Sequence, residues 1–225
     1  MAKIKFGMMM TDARGKLGGQ VFSKNRGGAY VRTKVTPSNP QTLAQTIVRT
    51  NLGNISQLWN SLTTDQIAGW NSAVENWKST DIFGDIKIPS GKNLFTKLNV
   101  NLLNTTRPVV LDVPEKQSVN VQPQVTVSYD TATSAWTLTS LPSIPGIVYQ
   151  VEATPTVPNG VSYVKNRFRV VAYGADATAL ATAMASGYAD KFGEPELGAK
   201  VFARVRAIGD NGQASLPIQV LVTIS

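Results

Sequence analysis

The chain has 225 residues, a hydrophobic fraction of 42% and a net charge of +8 at pH 7, so it is long enough to bury a core and is strongly basic. It contains neither Cys nor His, which excludes disulfides, zinc sites built on thiolate or imidazole, and catalysis by Ser-His or Cys-His pairs. No run reaches the roughly 18 apolar residues of a membrane helix, and the early apolar run at residues 6–10 is too short for a signal peptide. We therefore expect a soluble protein that is not exported by a signal peptide.

The positive charge is concentrated near the N-terminus. Residues 1–50 contain nine Lys or Arg and a single acid, Asp12, whereas the other 175 residues contain 13 basic and 13 acidic side chains. The basicity is therefore a local feature and predicts a local contact with an acidic partner.

Residues 1–37 are Gly-rich and have no apolar pattern long enough to form a core. Two short β-compatible runs, at 20–23 and 29–33, flank the turn sequence Asn25-Arg26-Gly27-Gly28, whose residues tolerate positive φ. We predict an extended basic arm or a small hairpin that orders on a partner. A solvated, disordered tail is the alternative.

The glycines of this arm let the backbone follow a partner surface while Lys and Arg approach carboxylates or phosphates. A protein partner is favoured over nucleic acid, because Phe6, Phe22 and Tyr30 are the only aromatic residues in the arm and offer little base stacking. The side chains predicted to dock are Lys16, Phe22, Lys24, Arg26, Tyr30, Arg32, Lys34 and Arg49.

Residues 38–104 have the periodicity of a small helical module. Ser38 or Asn39 can cap a first helix with Pro40 in its first turn, and Thr63 opens a capping box for a second. Ser90 can cap a third helix. The first two helices are expected to pair through Trp59, Trp70 and Trp77. The apolar stripe of the first helix consists of Leu43, Ile47, Val48, Leu52, Ile55, Trp59 and Leu62.

In residues 105–225 the apolar period changes to two, with turn signals between the runs. Strands are expected at 125–129, 135–139, 147–153, 163–173 and 201–207, and an Ala-rich helix at 176–191 interrupts them. The predicted fold class is α+β: the basic arm, the helical module, and a C-terminal antiparallel β-sandwich with an inserted helix.

Two motifs invite a chemical interpretation that the residues do not support. The sequence Ser90-Gly91-Lys92-Asn93 lacks the second Gly and the Ser or Thr of a phosphate loop, so Ser90 is interpreted as a helix cap. Asp81 and Asp85 lack the spaced ligands of a calcium loop. We therefore expect no enzyme activity, no metal and no cofactor.

The segment Leu197-Gly198-Ala199-Lys200 and the strand through Ala203, Val205 and Ala207 resemble the closing hairpin of a fibronectin type III or immunoglobulin-like domain. The likeness covers about residues 108–225, although Val201 stands where that family has a Tyr. It implies an immunoglobulin-like β-sandwich and says little about function.

A second resemblance covers residues 18–71. It consists of Gly18-Gly19-Gln20-Val21-Phe22, Asn25-Arg26-Gly27-Gly28, Tyr30-Val31-Arg32, Pro37-Ser38-Asn39-Pro40-Gln41-Thr42 and the helix that follows. This pattern resembles a leader of structural proteins of tailed bacteriophages, including crAss-like phages. The later motif Pro89-Ser90-Gly91-Lys92-Asn93-Leu94-Phe95 also fits.

The phage resemblance implies a virion protein that is assembled in the host cytoplasm. Its partners would be the major capsid protein or portal and tail proteins, in a multicopy assembly without a membrane. We expect a capsid auxiliary or decoration protein that docks through its N-terminal arm. A neck, portal-proximal or tail adaptor that anchors fibres is the alternative, and a nucleic-acid-binding protein is a third hypothesis.

Overall fold

The structure is a computed structural model that describes residues 2–8, 10–36, 38–81, 83–119 and 125–224. The chain forms two compact units. Unit 1 comprises Met1–Thr50 and Lys78–Ile88, and unit 2 comprises Asn51–Trp77 and Pro89–Ser225. The described residues form four α-helices and several antiparallel sheets, which confirms the α+β class. The division into three domains at 37/38 and 104/105 stays a prediction.

Unit 1 is built on a four-stranded antiparallel sheet. Its strands are β1 (Ala2–Lys3), β2 (Gly15–Leu17), β3 (Gln20–Asn25) and β4 (Gly28–Thr33), in the order β1-β4-β3-β2. The predicted hairpin is confirmed as β3–β4, and Asn25 Oδ1 accepts a hydrogen bond of 2.8 Å from the Gly27 amide in its turn. Strands β1 and β2 are too short to show a period in the sequence.

The rest of unit 1 consists of a second hairpin and the start of a long helix. The strands β5 (Ser79–Thr80) and β6 (Ile86–Lys87) pair in antiparallel fashion. Helix α1 (Leu43–Ser61) begins in unit 1 and ends in unit 2.

The predicted cap of α1 at Ser38 or Asn39 is wrong. The hydroxyl of Thr42 accepts from the Gln45 amide at 3.4 Å, and its carbonyl accepts from the Thr46 amide at 2.9 Å. Gln41 has a φ of 49°, which is incompatible with a right-handed helix at that residue. The helix therefore starts after Gln41, with Thr42 as its cap.

Residues of α1 and of two further helices of unit 2 pack around one phenylalanine. Helix α2 (Thr64–Ala73) has the predicted capping box at Thr63, and α3 (Gly91–Asn104) has the predicted Ser90 cap. The buried ring of Phe95 in α3 lies 5.4 Å from the ring of Trp59 and 5.3 Å from that of Trp70. The third predicted tryptophan contact is wrong: the Trp77 ring lies 5.9 Å from Lys116 Nζ instead.

The strands of unit 2 form a four-stranded and a two-stranded antiparallel sheet. The strands are β7 (Thr126–Asp130), β8 (Ala135–Thr139), β9 (Val148–Ala153), β10 (Arg169–Gly174), β11 (Lys200–Ile208) and β12 (Ile218–Thr223). The larger sheet has the order β10-β9-β11-β12, and β7 pairs with β8. The predicted strands are therefore present, although β10 is shorter than the sequence suggests.

Helix α4 (Ala177–Phe192) lies between β10 and β11 in the chain, as predicted, and the Asp176 side chain caps it. Its buried residues and those of β7–β8 pack on one face of the four-stranded sheet. At the centre, the Trp136 ring lies 4.8 Å from the ring of Tyr129 and 5.1 Å from that of Tyr188. Helix α4 therefore contributes a layer of the core.

The contact between α4 and the larger sheet can be tested at Gly187. A Cβ at this position would overlap the carbonyl oxygen of Val171. We expect Gly187→Ala to lower the free energy of unfolding by about 1–3 kcal/mol, although alanine normally favours a helix over glycine by about 1 kcal/mol. Chemical denaturation followed by circular dichroism measures the change. The exposed neighbour provides a control, since Ser186→Ala should change stability by less than about 0.5 kcal/mol. Unchanged or increased stability of Gly187→Ala would contradict this packing.

Candidate docking surface

Unit 1 has no buried core of its own. No hydrophobic residue among its described positions, 2–8, 10–36, 38–50, 78–81 and 83–88, is buried, whereas all the described buried hydrophobic residues belong to unit 2. A small sheet without a covered face has little hydrophobic stabilisation. Unit 1 therefore leaves apolar side chains exposed.

The whole net charge of the protein lies in unit 1. This unit contains eleven basic and three acidic residues, while unit 2 contains eleven of each. Residues 78–88 add two basic and two acidic residues, so the net charge of unit 1 comes from residues 1–50. Long-range attraction of an acidic partner would therefore act on unit 1.

The three acids of unit 1 are all engaged in ion pairs. Asp81 Oδ2 lies 2.9 Å from Lys3 Nζ and 3.6 Å from Lys87 Nζ. Asp85 Oδ2 lies 3.0 Å from Lys5 Nζ, and Asp12 pairs with its neighbour Arg14 at 3.6 Å. The pairs of Asp81 and Asp85 tie the N-terminal strand to the β5–β6 hairpin, a role that sequence reasoning missed because the residues lie about 80 positions apart.

Asp81 is the best shielded of these acids, with 7% of its side chain exposed. The hydrogen bond from Lys3 holds the pKa of its carboxyl below the ordinary value, outweighing the partial burial that acts to raise it. Its Oδ1 also accepts from the backbone amides of Phe83 at 2.8 Å and Asp85 at 3.1 Å, which lowers the pKa further. The anion is therefore the stable form of Asp81.

The charged residues predicted to dock remain available. In the part of the chain that the structure describes, six basic side chains of unit 1 form no ion pair within 4.0 Å. They are Lys16, Lys24, Arg26, Arg32, Lys34 and Arg49. Arg49 donates to a neutral group, the Asn39 Oδ1, at 2.7 Å. The uncompensated charge of unit 1 therefore coincides with the residues predicted from sequence.

The register of the sheet divides these residues between its two faces. Lys16, Val21 and Arg32 form one cross-strand row, and Tyr30 lies on the same face because side chains alternate along β4. Phe22 and Lys24 point to the opposite face. Arg26 lies in the β3–β4 turn and Lys34 follows β4. Phe22 and Tyr30 therefore cannot form a single stacking platform for bases.

The first half of the α1 stripe is exposed, contrary to the prediction that it packs on a second helix. The exposed fractions are 78% for Leu43, 51% for Ile47, 66% for Val48 and 51% for Leu52. Only the later part of the stripe reaches the core, where Ile55 and Leu62 are buried. The period of a helix shows which residues share a face, but it does not show what covers that face.

The described residues offer no alternative site for metal chemistry. Asp81 and Asp85 contact lysines, and no three His, Cys, Asp or Glu side chains of the described ranges gather into a metal site. A groove of about 660 Å³ in unit 2 is lined by Trp77, Glu115, Lys116 and four neighbours. Among the described helices, none combines the length and apolarity needed to cross a bilayer.

Comparisons of the chain with known protein families, with curated protein sequences and with solved structures found no match. The features of the described residues that bear on function are the concentration of charge and the exposed apolar side chains of unit 1.

Because of the ion pairs of Asp81, we expect the stability of unit 1 to depend on pH. Because the folded-state pKa is lowered, the stabilisation is present above the ordinary Asp pKa near 3.8 and is lost as the pH falls through the folded-state pKa. We expect Asp81→Asn to speed hydrogen exchange of the Ile4 amide, which donates to the Ala29 carbonyl at 3.2 Å, several-fold at neutral pH. Exchange measured by NMR checks this, with Asp12→Asn as the control that should leave Ile4 unchanged. Equal exchange rates in the Asp81 variant and the wild type would contradict the role of the pairs.

Proposed function

We propose that this chain is a structural protein of a tailed-bacteriophage particle, a capsid auxiliary or decoration protein that docks through unit 1. The observation that carries the proposal is the concentration of the entire net charge in a unit that has no buried core. A unit of this kind gains stability when an acidic protein surface covers it. The leader-like pattern of residues 18–71 supports the assignment to phage virions.

Docking combines main-chain and side-chain contacts. Strand β2, Gly15–Leu17, is an exposed edge strand to which a strand of the partner can be added. Lys16 and Arg32 flank Val21 on one face and meet acidic side chains there, while Phe22 and Lys24 offer the other face to a second element of the partner. The partner is the major capsid protein in this proposal.

Unit 2 is the part that the docked protein displays. We interpret its β-rich region as an immunoglobulin-like element, since β11 and β12 resemble the closing hairpin of that family. Its charge balance and its own core suit a module that keeps its fold whether or not unit 1 is docked.

The free cations of unit 1 provide the direct test of the docking surface. We expect the combined variant Lys16→Ala, Lys24→Ala, Arg26→Ala and Arg32→Ala to reduce incorporation into particles by about tenfold or more, equivalent to about 1.4 kcal/mol of binding free energy. Quantitative gel analysis of purified particles measures the incorporated amount.

The matched control removes four exposed cations from unit 2, with Lys92→Ala, Lys97→Ala, Lys165→Ala and Arg167→Ala. It makes the same change in net charge and should leave incorporation within about twofold. Equal losses in the two variants would show that net charge alone matters and would contradict docking through unit 1.

A copy number that follows the shell lattice supports the head location, whereas one that follows a portal or tail ring supports the neck or tail adaptor.

Binding to nucleic acid makes a different prediction. If the six free cations neutralised phosphates, retention on DNA or RNA would fall steeply with salt, with a slope close to the number of contacts. We expect no sequence-independent retention at physiological ionic strength, measured by fluorescence anisotropy with single- and double-stranded oligonucleotides. Tight, steeply salt-dependent binding that the four-alanine variant of unit 1 abolishes would favour the nucleic-acid function instead.

A further inference from the structure

The exposed part of the α1 stripe is a regular apolar surface. Leu43, Ile47, Val48 and Leu52 lie along one side of about three turns, so the surface is about 15 Å long. This half of the helix is uncharged apart from Arg49, whose guanidinium donates to Asn39. The stripe therefore forms a continuous apolar surface, and the neighbouring positions of this half of the helix carry a single charge.

An exposed apolar stripe is stabilised when another surface packs against it. A short amphipathic helix obtains most of its stability from packing its apolar face, and unit 1 contributes no buried described residue to pack against it. Further along the same helix, Ile55 is fully buried in unit 2. The contrast within one helix indicates that the first half is placed for a surface that another molecule supplies.

The charge of unit 1 decides which kind of molecule this is. A second copy would bring another strongly basic unit whose three acids, Asp12, Asp81 and Asp85, already pair with basic side chains. A membrane-surface helix carries several Lys or Arg on its polar face, whereas α1 has only Arg49. The phosphates of a nucleic acid cannot bury the aliphatic side chains of the stripe. Only an acidic protein with an apolar groove satisfies both the stripe and the free cations.

We infer that the first half of α1 inserts its apolar stripe into an apolar groove on an acidic virion protein, with carboxylates beside the groove that meet the free cations of unit 1. This is the helix-in-groove mode of recognition, in which anchors spaced by about one turn fill successive pockets. The inference rests on the proposed function, because it names a second contact of the same docking unit. Strand addition and helix insertion then hold unit 1 from two elements.

The first experiment identifies what lies against the stripe. A photo-crosslinking residue, p-benzoyl-phenylalanine, is placed at Val48 in the full-length protein, and assembled particles are irradiated. The control places it at Tyr163, a comparably exposed residue of unit 2. We expect Val48 to crosslink to an acidic virion protein, identified by mass spectrometry, and Tyr163 not to crosslink to that protein. Crosslinking of Val48 to another copy of this chain, to lipid or to nucleic acid would overturn the inference.

The second experiment tests whether the stripe contributes to docking. The variant Leu43→Gln with Ile47→Gln keeps residues that favour a helix but removes the apolar anchors. We expect incorporation to fall by about tenfold, while the control Leu197→Gln with Leu216→Gln, at exposed sites in unit 2, incorporates normally. Circular dichroism of the free variant confirms that the helical content is retained.

The outcomes separate the two proposals. If the wild-type chain is absent from purified particles, the proposed function fails and this inference fails with it. If the wild-type chain is present and the Leu43 and Ile47 variant incorporates normally, the helix-in-groove inference alone is overturned. Loss of incorporation in this variant, with the crosslink from Val48, supports both.

Discussion

The pairing of Asp81 with Lys3 and Lys87 links the N-terminal strand of unit 1 to its β5–β6 hairpin. This unit carries eleven basic and three acidic residues, so each carboxylate offsets a large like-charge repulsion. Asp81 does so from a shielded position, where it also accepts two backbone hydrogen bonds. It thereby connects strand β1 to the β5–β6 hairpin through side chains, in a unit that has no hydrophobic core to perform that task.

Unit 2 is stabilised in the ordinary way, by a packed interior whose polar groups are satisfied. Asn99 illustrates this: it is fully buried, donates to the carbonyls of Phe95 and Val110 at 3.1 Å, and accepts from the Val110 amide at 2.8 Å. These bonds fix the segment after α3 against that helix. Phe95 and Trp136 each stand at the centre of an aromatic cluster, so the helical and β-rich parts both have dense cores.

The two units differ in net charge and in whether they have a buried core, and this difference supports the proposed assembly role. A unit with its own core buries apolar surface without a partner, whereas a basic unit with exposed aliphatic side chains gains stability when a partner covers it. The six free cations lie in unit 1 together with Leu43, Ile47 and Val48 of the exposed stripe, while Leu52 follows just beyond the boundary of the unit. A partner that offers both carboxylates and an apolar groove would bury the stripe and neutralise the repulsion in one contact.

The sequence by itself determined the local features, because these depend on near neighbours in the chain. It predicted the β3–β4 hairpin from its Asn and Gly turn, the caps at Thr63 and Ser90, and the helix α4. It also located the net charge, since charge can be counted along the chain. The six cations that form no ion pair in the described part of unit 1 are therefore among the residues that the sequence predicted to dock.

Tertiary structure alone decided which side chains are covered and which distant charges meet. The α1 stripe has one continuous period, yet Leu43 is exposed and Ile55 is buried, because a period carries no information about the neighbouring surface. Lys3 finds Asp81 across about 80 residues of chain, and Phe22 and Tyr30 are separated onto opposite faces by the register of β3 and β4. Contacts between residues far apart in sequence depend on how the whole chain packs, and local patterns do not specify them.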